Sequence, residues 1–377
     1  TAIAPAQVHM FGRVFDRSAL ASYAISFSFL LIACISPILS SIADYKGNKK
    51  AFMQFFTYVG SAACCSMFFF TKDNISFGII ASVVASIGYC GSIVFYNAYL
   101  PEIAAEEDQD RISAKGFTMG YIGSVLLMIV CLAAIMMNDK MNLGWGAYPA
   151  RLSFLAVGIW WAGFAQITFN RLPPSKIPEQ HAEYNLFTNG FHELKKVWFE
   201  LKHHPNLSKF LRGFFFYNMG VQTVMYLATY FASDELKMES SQLIITVLII
   251  QIVAILGATL FSKLSDKTNN IFTLCTLICI WILICYFASI VTTISQFYMI
   301  AFCVGMVMGG IQSLSRSTYA KLIPTSTTDH ASFFSFFDLT EKVAVVLGTA
   351  SYGFIWGMAG ENKEFTDMDP VPIATIK

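Results

Sequence analysis

Three charged residues stand close together inside a long apolar stretch, residues 332–357. Asp338 and Glu341 are three positions apart, so a helix would present them on one face, and Lys342 is adjacent. A carboxylate surrounded by hydrocarbon has to be paired with a cation or protonated. Two interpretations follow. One is a salt bridge in a gate, with Arg316 at the end of the preceding stretch as the expected partner, and the other is a proton-coupling carboxylate.

Uncharged polar residues also lie inside apolar stretches. Asn218 and Gln222 are one helical turn apart near the middle of residues 207–232, so they share a face. With Tyr226 they fit either the lining of a substrate cavity or hydrogen bonds between helices. The same two interpretations apply to three residues nearer the ends of their stretches: Tyr96, Asn97 and Gln312. A lining without charge favours a neutral or zwitterionic solute.

A short charged segment, SSIADYKGNKK at residues 40–50, separates two apolar stretches. Gly47 can adopt a positive φ at low cost, which lets the chain reverse direction between two helices. Asp44 can accept hydrogen bonds from a helix N-terminus or pair with a basic side chain elsewhere in the molecule. With Lys49 and Lys50, the segment indicates either a latch between two parts of the protein or an ordinary basic turn.

The elements that carry these residues are long apolar segments. The chain of 377 residues is 55% hydrophobic and only 13% charged, whereas soluble domains carry about 25% charged residues. A transmembrane helix needs about 20 apolar residues. Ten segments qualify: 18–42, 51–71, 75–99, 116–136, 150–170, 207–232, 240–262, 270–292, 297–318 and 332–357. The sequence therefore predicts an all-α polytopic membrane protein.

The two halves of the sequence share landmarks. The segment SKLSDKTNN resembles SSIADYKGNKK, with Asp266 in the position of Asp44, and Pro101 and Pro324 follow the two aspartates at nearly equal distances. These landmarks predict two repeats of one topology, which makes Asp266 a second latch candidate. In transporters built from such repeats, the substrate site lies at the repeat interface. The predicted parts are an N-terminal bundle at 1–170, a linker with an amphipathic helix at 171–206, and a C-terminal bundle at 207–377.

Lysine and arginine are distributed unequally between the two sets of links. The set that contains residues 44–50 carries roughly twice as many as the other set, so it is predicted to face the cytoplasm. The two ends of the sequence then face the opposite side. A complete arrangement of two repeats has twelve spans, with both ends of the chain on the cytoplasmic side. With both ends on the opposite side, each repeat lacks one helix. We therefore expect the first and last of twelve spans to be absent from this sequence.

Several classes of function receive no support. The net charge is +1, and no basic array indicates nucleic-acid binding. The nine cysteines lie in apolar runs without a CxxC pair, which is typical of buried packing and not of disulfides or a metal site. No HExxH, GxSxG or Walker motif occurs. We therefore expect no enzyme, including one acting on lipid, no ATP-driven pump and no cofactor.

The segment at residues 40–50 resembles the signature loop between helices two and three of the major facilitator superfamily, G-x-x-x-D-x-x-G-[RK]-[RK]-[RK]. The matching residues are Asp44, Gly47, Lys49 and Lys50, whereas Ser40 and Asn48 replace a glycine and a basic residue. Five further segments resemble the vacuole-effluxer-like branch of that superfamily: FYNAYLPEIA (95–104), DRISAKGFTMGYIG (110–123), FFFYNMGVQTV (214–224), GGIQSLSRSTYAKLIP (309–324) and FFSFFDLTEKVAVVLG (333–348).

This resemblance implies the major facilitator fold, with two pseudo-symmetric helical bundles that work by alternating access. It implies a secondary active transporter of a small polar, amino-acid-like metabolite, working by efflux or in a proton-linked manner. The coupling ion would be a proton or sodium. A monomer in the inner membrane of a bacterium is the expected setting, in preference to a vacuolar membrane. A transporter-like sensor or scaffold without transport is the alternative.

Overall fold

The computed structural model describes most of the chain: residues 7–10, 13–141, 144, 146–173, 186–234, 236–325 and 327–366. Within these ranges, the backbone alone is described before Phe27, beyond Ser351 and at some internal positions, which include Tyr226.

Helices make up nearly all of the described chain. They are α1 (Arg17–Lys46), α2 (Lys49–Ser66), α3 (Ile75–Ala98), α4 (Leu100–Ile103), α5 (Gln109–Met141), α6 (Tyr148–Arg171), α7 (Leu186–His203), α8 (Pro205–Asp234), α9 (Ser240–Lys267), α10 (Asn270–Ala288), α11 (Ile294–Leu322) and α12 (His330–Thr366). A short antiparallel hairpin, β1 (Gln7–Met10) and β2 (Arg13–Asp16), precedes α1. Apart from this hairpin, the predicted all-α fold class is confirmed.

Each of the ten predicted spans coincides with a long helix: α1, α2, α3, α5, α6 and α8 to α12. Among the described residues, eight helices are long and apolar enough to cross a membrane. The two predicted spans outside that set form α8, with 30 residues, and α12, with 37. Both exceed the about 20 residues that a span needs. The protein is an integral, multi-pass membrane protein.

The long helices pack as two groups. In the first, α2 packs against α3 and α6, and α1 packs against α3; in the second, α9 and α10 pack against α11, and α8 packs against α12. We call α1 to α6 the first half and α8 to α12 the second half. The halves meet where α1 and α3 contact α12, and where α5 contacts α9 and α11.

Glycines permit the closest contacts between helices of the second half. A Cβ atom at Gly257 would overlap the carbonyl oxygen of Met306, and one at Gly309 would overlap that of Ala254. Small residues let membrane helices pack backbone against backbone in this way. The contact between α9 and α11 therefore has no room for a larger side chain at these positions.

The links α1–α2, α3–α5, α9–α10 and α11–α12 lie at one end of the bundle with α7, and we call this the linker end. A buried aromatic cluster fills it. Tyr99, Tyr319 and Phe333 have almost no exposed surface, and the Tyr319 hydroxyl donates a 2.6 Å hydrogen bond to the carbonyl oxygen of Phe333. The rings of Phe214 and Phe337 stack with centroids 4.2 Å apart. Because the same buried cluster contains Phe95 and Leu100 of the first half, apolar packing between the halves closes the linker end.

The helix α7 is the amphipathic helix that the sequence predicts between the two halves. Val197 and Leu201 are buried, whereas Trp198 is about half exposed. Lys196 forms an ion pair of 2.7 Å with Asp329, immediately before α12. Because α7 also packs against α1, it bridges the two halves at the linker end.

Candidate functional site

The carboxylate of Asp44, near the end of α1, binds the start of α12. It accepts hydrogen bonds from the backbone nitrogen of Ser332 at 2.7 Å, from the hydroxyl of Ser332 at 2.8 Å and from the backbone nitrogen of Ala331 at 3.3 Å. The first N–H groups of a helix have no partner inside it and carry partial positive charge. A buried carboxylate of the first half therefore caps a helix of the second half.

The remaining residues of the turn hold Asp44 in place. Gly47 has a φ of 61° and closes the turn between α1 and α2, in the positive-φ conformation that its sequence position predicts. The ammonium group of Lys49 is buried between the carboxylates of Asp44, at 3.8 Å, and Glu102. Lys50 donates a 3.1 Å hydrogen bond to the carbonyl oxygen of Leu172, just beyond α6. The turn is therefore tied to α3–α4 and α6.

A second junction joins α5 of the first half to α9, α10 and α11 of the second. Asp110, near the start of α5, forms a 2.6 Å ion pair with Lys321 and accepts hydrogen bonds from Asn270 at 2.6 Å and from Ser265 at 3.3 Å. Asp266 is exposed and makes no side-chain hydrogen bond or ion pair among the described residues. The buried carboxylate of this junction thus comes from the first half, and the neighbouring Ser265 makes the contact from α9.

The guanidinium group of Arg316, on α11, crosses into the first half. It donates hydrogen bonds to the carbonyl and hydroxyl oxygens of Ser113, at 2.8 and 3.0 Å, and to the side-chain oxygen of Asn97 at 3.2 Å. It also lies over the rings of Phe117 and Tyr96, with Cζ 4.6 and 5.4 Å from the centroids. Arg316 therefore pairs with α3 and α5, and the expected pairing with Asp338 is wrong.

Three charged residues of α12 form the charged cluster, which consists of Asp338, Glu341 and Lys342. The Lys342 ammonium lies 3.2 Å from Asp338 and 3.9 Å from Glu341. Gln222 of α8 donates a 2.9 Å hydrogen bond to Glu341, and the ring of Phe29 on α1 lies 5.3 Å from the ammonium. The cluster is thus bordered by helices of both halves and lies well above the linker end.

Further polar contacts join the halves between the linker end and the depth of the charged cluster. The hydroxyl of Tyr121 on α5 donates a 2.6 Å hydrogen bond to Gln312 on α11. Ser124, one turn further along α5, bonds to Gln251 on α9. These pairs extend the contact of α5 with the second half beyond Asp110 and Arg316.

A family model described as "Vacuole effluxer Atg22 like" matches residues 4–364 of the chain. The chain belongs to this family. It is 32% identical over 338 residues to the uncharacterized MFS-type transporter YxiO of Bacillus subtilis, which covers 88% of this chain and 77% of the relative. It is 23% identical over 433 residues to autophagy-related protein 22 of Yarrowia lipolytica, covering 92% of this chain and 72% of the relative.

Solved structures share the fold of this Atg22-like chain at low sequence identity. The crystal structure of FucP, a major facilitator superfamily transporter in the outward conformation, has a TM-score of 0.64 and 14% identity, covering 93% of this chain and 86% of that one. The proton:xylose symporter XylE has a TM-score of 0.61 and 12% identity, covering 90% and 80%. The Atg22-like chain therefore has the major facilitator fold, as the sequence resemblance implies.

The predicted lining residues of the Atg22-like chain lie in separate places. Gln222 contacts the charged cluster, and Gln312 is bonded to α5 between the halves. Tyr96 and Asn97 lie at the linker end because both contact Arg316.

Two further lining candidates share one face of α8. Asn218 is buried, and its amide nitrogen has no hydrogen-bond partner among the described residues. The side chain of Tyr226 lies outside the described residues. Asn218 and Gln222 thus lie near the charged cluster. Among the described residues, the predicted lining residues do not form one continuous cavity wall.

Some contacts of the Atg22-like chain were not selected from the sequence. Lys342 is four residues from Asp338 inside a span. Opposite charges at this spacing pair on a helix, so the spacing could have identified the ion pair of Lys342 with Asp338. Asp110 has an acidic neighbour, Asp108, and it is Asp108 that takes the nearby Arg111 as its ion-pair partner. No local signal in the sequence distinguishes the buried aspartate from the exposed one.

Proposed function

We propose that this chain is a secondary active transporter that moves a small polar, amino-acid-like metabolite across a membrane by alternating access. The observation that carries the proposal is the charged cluster between the two halves, where Lys342 is held by Asp338 and Glu341. Charged groups inside a membrane are costly and mark substrate or ion pathways. The family description, an effluxer, and the name of the Bacillus subtilis relative, a transporter, support the same function.

Alternating access requires contacts between the halves that can form and break. The Asp44 and Asp110 junctions and Arg316 supply such contacts at the linker end, and we propose that they stabilise the state closed on that side. Each consists of a few hydrogen bonds, and a bond to a charged group contributes about 1.5–3 kcal/mol. Asp266 does not take part in these described contacts, so the proposed latch consists of Asp44, Gly47, Lys49 and Lys50 in the first turn and of Arg316.

The substrate class follows from the chemistry at the charged cluster. A zwitterion carries an ammonium and a carboxylate group, which suit the carboxylates of Asp338 and Glu341 and the ammonium of Lys342. Asn218 and Gln222 offer neutral hydrogen-bonding groups beside the cluster. We propose that these residues, with Tyr226, form the substrate site, and that Tyr96, Asn97 and Gln312 border it toward the linker end.

The proposal also covers the direction of transport and the ion to which transport is coupled. When all three residues are ionised, the cluster has two carboxylates and one ammonium group. One negative charge is then left uncompensated. A bound proton supplies that charge most simply, and proton-linked efflux is the proposed mode, with sodium as the competing ion. The linker end would face the cytoplasm of a bacterial cell, with the chain acting as a monomer of two bundles, 1–170 and 207–377, joined by 171–206.

Flux measurements on the purified protein in proteoliposomes test this function. A panel of neutral, acidic and basic amino acids is offered under an imposed pH gradient, under a sodium gradient and without either. We expect flux of at least one amino acid that follows the pH gradient and is lost with a protonophore. A folded, monodisperse protein that moves no solute of the panel would instead support the sensor or scaffold.

A further inference from the structure

Buried serines line the contact between α1 and α12. The two helices run antiparallel, because Asp44 meets Ser332 at the linker end while Phe29, much earlier in α1, meets Lys342. Between these two contacts the helices carry five serines that are buried almost completely: Ser36, Ser40 and Ser41 on α1, and Ser332 and Ser335 on α12. We call this row of serines the hydroxyl seam.

The spacing of the α1 serines directs them toward α12. Ser40 is one helical turn from Asp44, and Ser36 is two turns from both Asp44 and Phe29. Residues at these spacings share a face of a helix, and both Asp44 and Phe29 contact α12. On the other side, Ser335 stands between Ser332 and the charged cluster. The Ser41 and Ser332 hydroxyls are 3.3 Å apart, so the two rows of the seam meet.

Three polar atoms of this region are buried without a hydrogen-bond partner among the described residues. They are the hydroxyl oxygens of Ser36 and Ser40 and the Oδ2 atom of Asp338. Leaving such a group unsatisfied is costly, and buried polar groups nearly always have a partner in protein or ordered water. The three atoms lie along one helix contact that leads from the linker end to the charged cluster. Ordered water bound by two or more polar groups satisfies sites of this kind.

We propose that the hydroxyl seam holds a chain of ordered water molecules that carries protons between the linker end and Asp338. This inference rests on the proton-linked transport proposed above. A proton leaves the Asp338 carboxyl group for the adjoining water, which passes one of its own protons along the chain, and one proton enters solvent at the linker end. Only O–H bonds form and break, and the carboxylate that remains is stabilised by Lys342.

Titratable groups and neutral groups surround Asp338. The titratable groups are Glu341 and Lys342 on α12 and Cys90 and Tyr89 on α3, which lie within electrostatic reach of the cluster. The contacts from α1 and α8, Phe29 and Gln222, are neutral. The seam is a row of hydroxyl groups that reaches the cluster from the linker end.

The first arm of the test measures thermal stability and needs no transport. The variants are Ser36→Ala, Ser40→Ala and the double variant, with Ser61→Ala as the matched control. Ser61 is also a buried serine without a described partner, but it lies on α2, whose backbone there faces Gly158 of α6. Removing a hydroxyl from dry packing leaves the unfolding midpoint unchanged or raises it, whereas removing a ligand of ordered water lowers it by about 2 °C.

The second arm measures proton movement with a pH-sensitive dye inside proteoliposomes, together with substrate exchange at equal pH on both sides. We expect the double variant to slow substrate-linked proton movement about tenfold, since two positions of the hydrogen-bonded chain are lost. Substrate exchange without net proton movement should stay within about twofold of the unchanged protein, because the serines do not contact the proposed substrate site.

The outcomes separate the two proposals. Slower proton movement with a lowered midpoint supports the water chain. Wild-type proton movement in the double variant, or a midpoint that rises as in Ser61→Ala, overturns it while proton-linked transport stands. Substrate flux without any proton movement in the unchanged protein overturns the route and the proton linkage together, and leaves the transporter assignment intact.

Discussion

The carboxylate of Asp44 lies 2.7 Å from the backbone nitrogen of Ser332, a residue 288 positions away in the sequence. Asp44 stands two residues before the end of α1, where the partial negative charge of its own helix disfavours a carboxylate. The N-terminus of α12 offsets that penalty with two N–H donors and partial positive charge. Under the proposed alternating access, the contact would break when the linker end opens, so Asp44 would be favourably placed in the closed state alone.

Replacing Asp44 with Asn tests whether this contact matters for transport. The amide still accepts a hydrogen bond but loses the charge, so the closed state should lose about 1.5–3 kcal/mol and the flux should fall roughly tenfold or more. Proteoliposome flux and a size-exclusion profile of the purified variant check the outcome. Asp266→Asn is the control, because Asp266 is exposed and makes no described contact, and its flux should not change. Equal flux for both variants would remove the latch role of Asp44.

Asp110→Asn tests the second junction through stability. The change leaves Lys321 without its described counter-ion and should lower the free energy of unfolding by about 2 kcal/mol, the usual contribution of a hydrogen bond to a charged group. Asp108→Asn is the control two residues away, since its pair with Arg111 is exposed and should contribute within about 0.5 kcal/mol. Thermal unfolding in detergent measures both. A similar loss in the two variants would contradict the junction.

Arg316→Lys keeps the positive charge but removes the planar fork. A lysine ammonium cannot reach the Ser113 oxygens and Asn97 with the geometry of a guanidinium group. We expect a roughly tenfold loss of flux from a folded protein, as for the loss of a charged hydrogen bond. Arg212→Lys should be silent, because Arg212 is exposed and bonds only within its own helix among described contacts. Wild-type flux in Arg316→Lys would show that charge alone suffices.

Asp338→Asn tests the coupling role of the charged cluster. The variant cannot bind and release a proton at this position, so flux driven by a pH gradient should fall by about a hundredfold, as for the loss of a positioned acid or base. Exchange of labelled for unlabelled substrate at equal pH should fall much less, because Glu341 and Lys342 of the proposed substrate site remain. The single change leaves Lys342 paired with Glu341, so the charges of the cluster balance and the variant should stay folded. Gradient-driven flux that survives in Asp338→Asn would assign coupling to another group.

Much of the architecture could be read from the sequence, because each span needs its own run of apolar residues and turns need particular backbone conformations. The ten spans are present as helices, and Gly47 has the positive φ that its turn position predicts. The repeated spacing of acidic residues and prolines singled out Asp44 and Asp266, and of these two Asp44 makes a described contact between the halves. Helix ends were predicted less well, since α10 ends at Ala288, four residues before the predicted limit.

The partners of the charged residues could not be read in this way. Arg316 binds α3 and α5 instead of the acidic residues of α12, and Asp110 is buried where Asp266 was expected. Hydrophobicity and spacing act along one segment, and they determined that this is a membrane protein of two similar helical halves. Which charge meets which helix depends on how the halves dock, because a buried ion pair forms only between groups that packing brings within a few ångströms. The tertiary structure alone therefore decided that Asp44 caps α12 and that Arg316 binds Ser113 and Asn97.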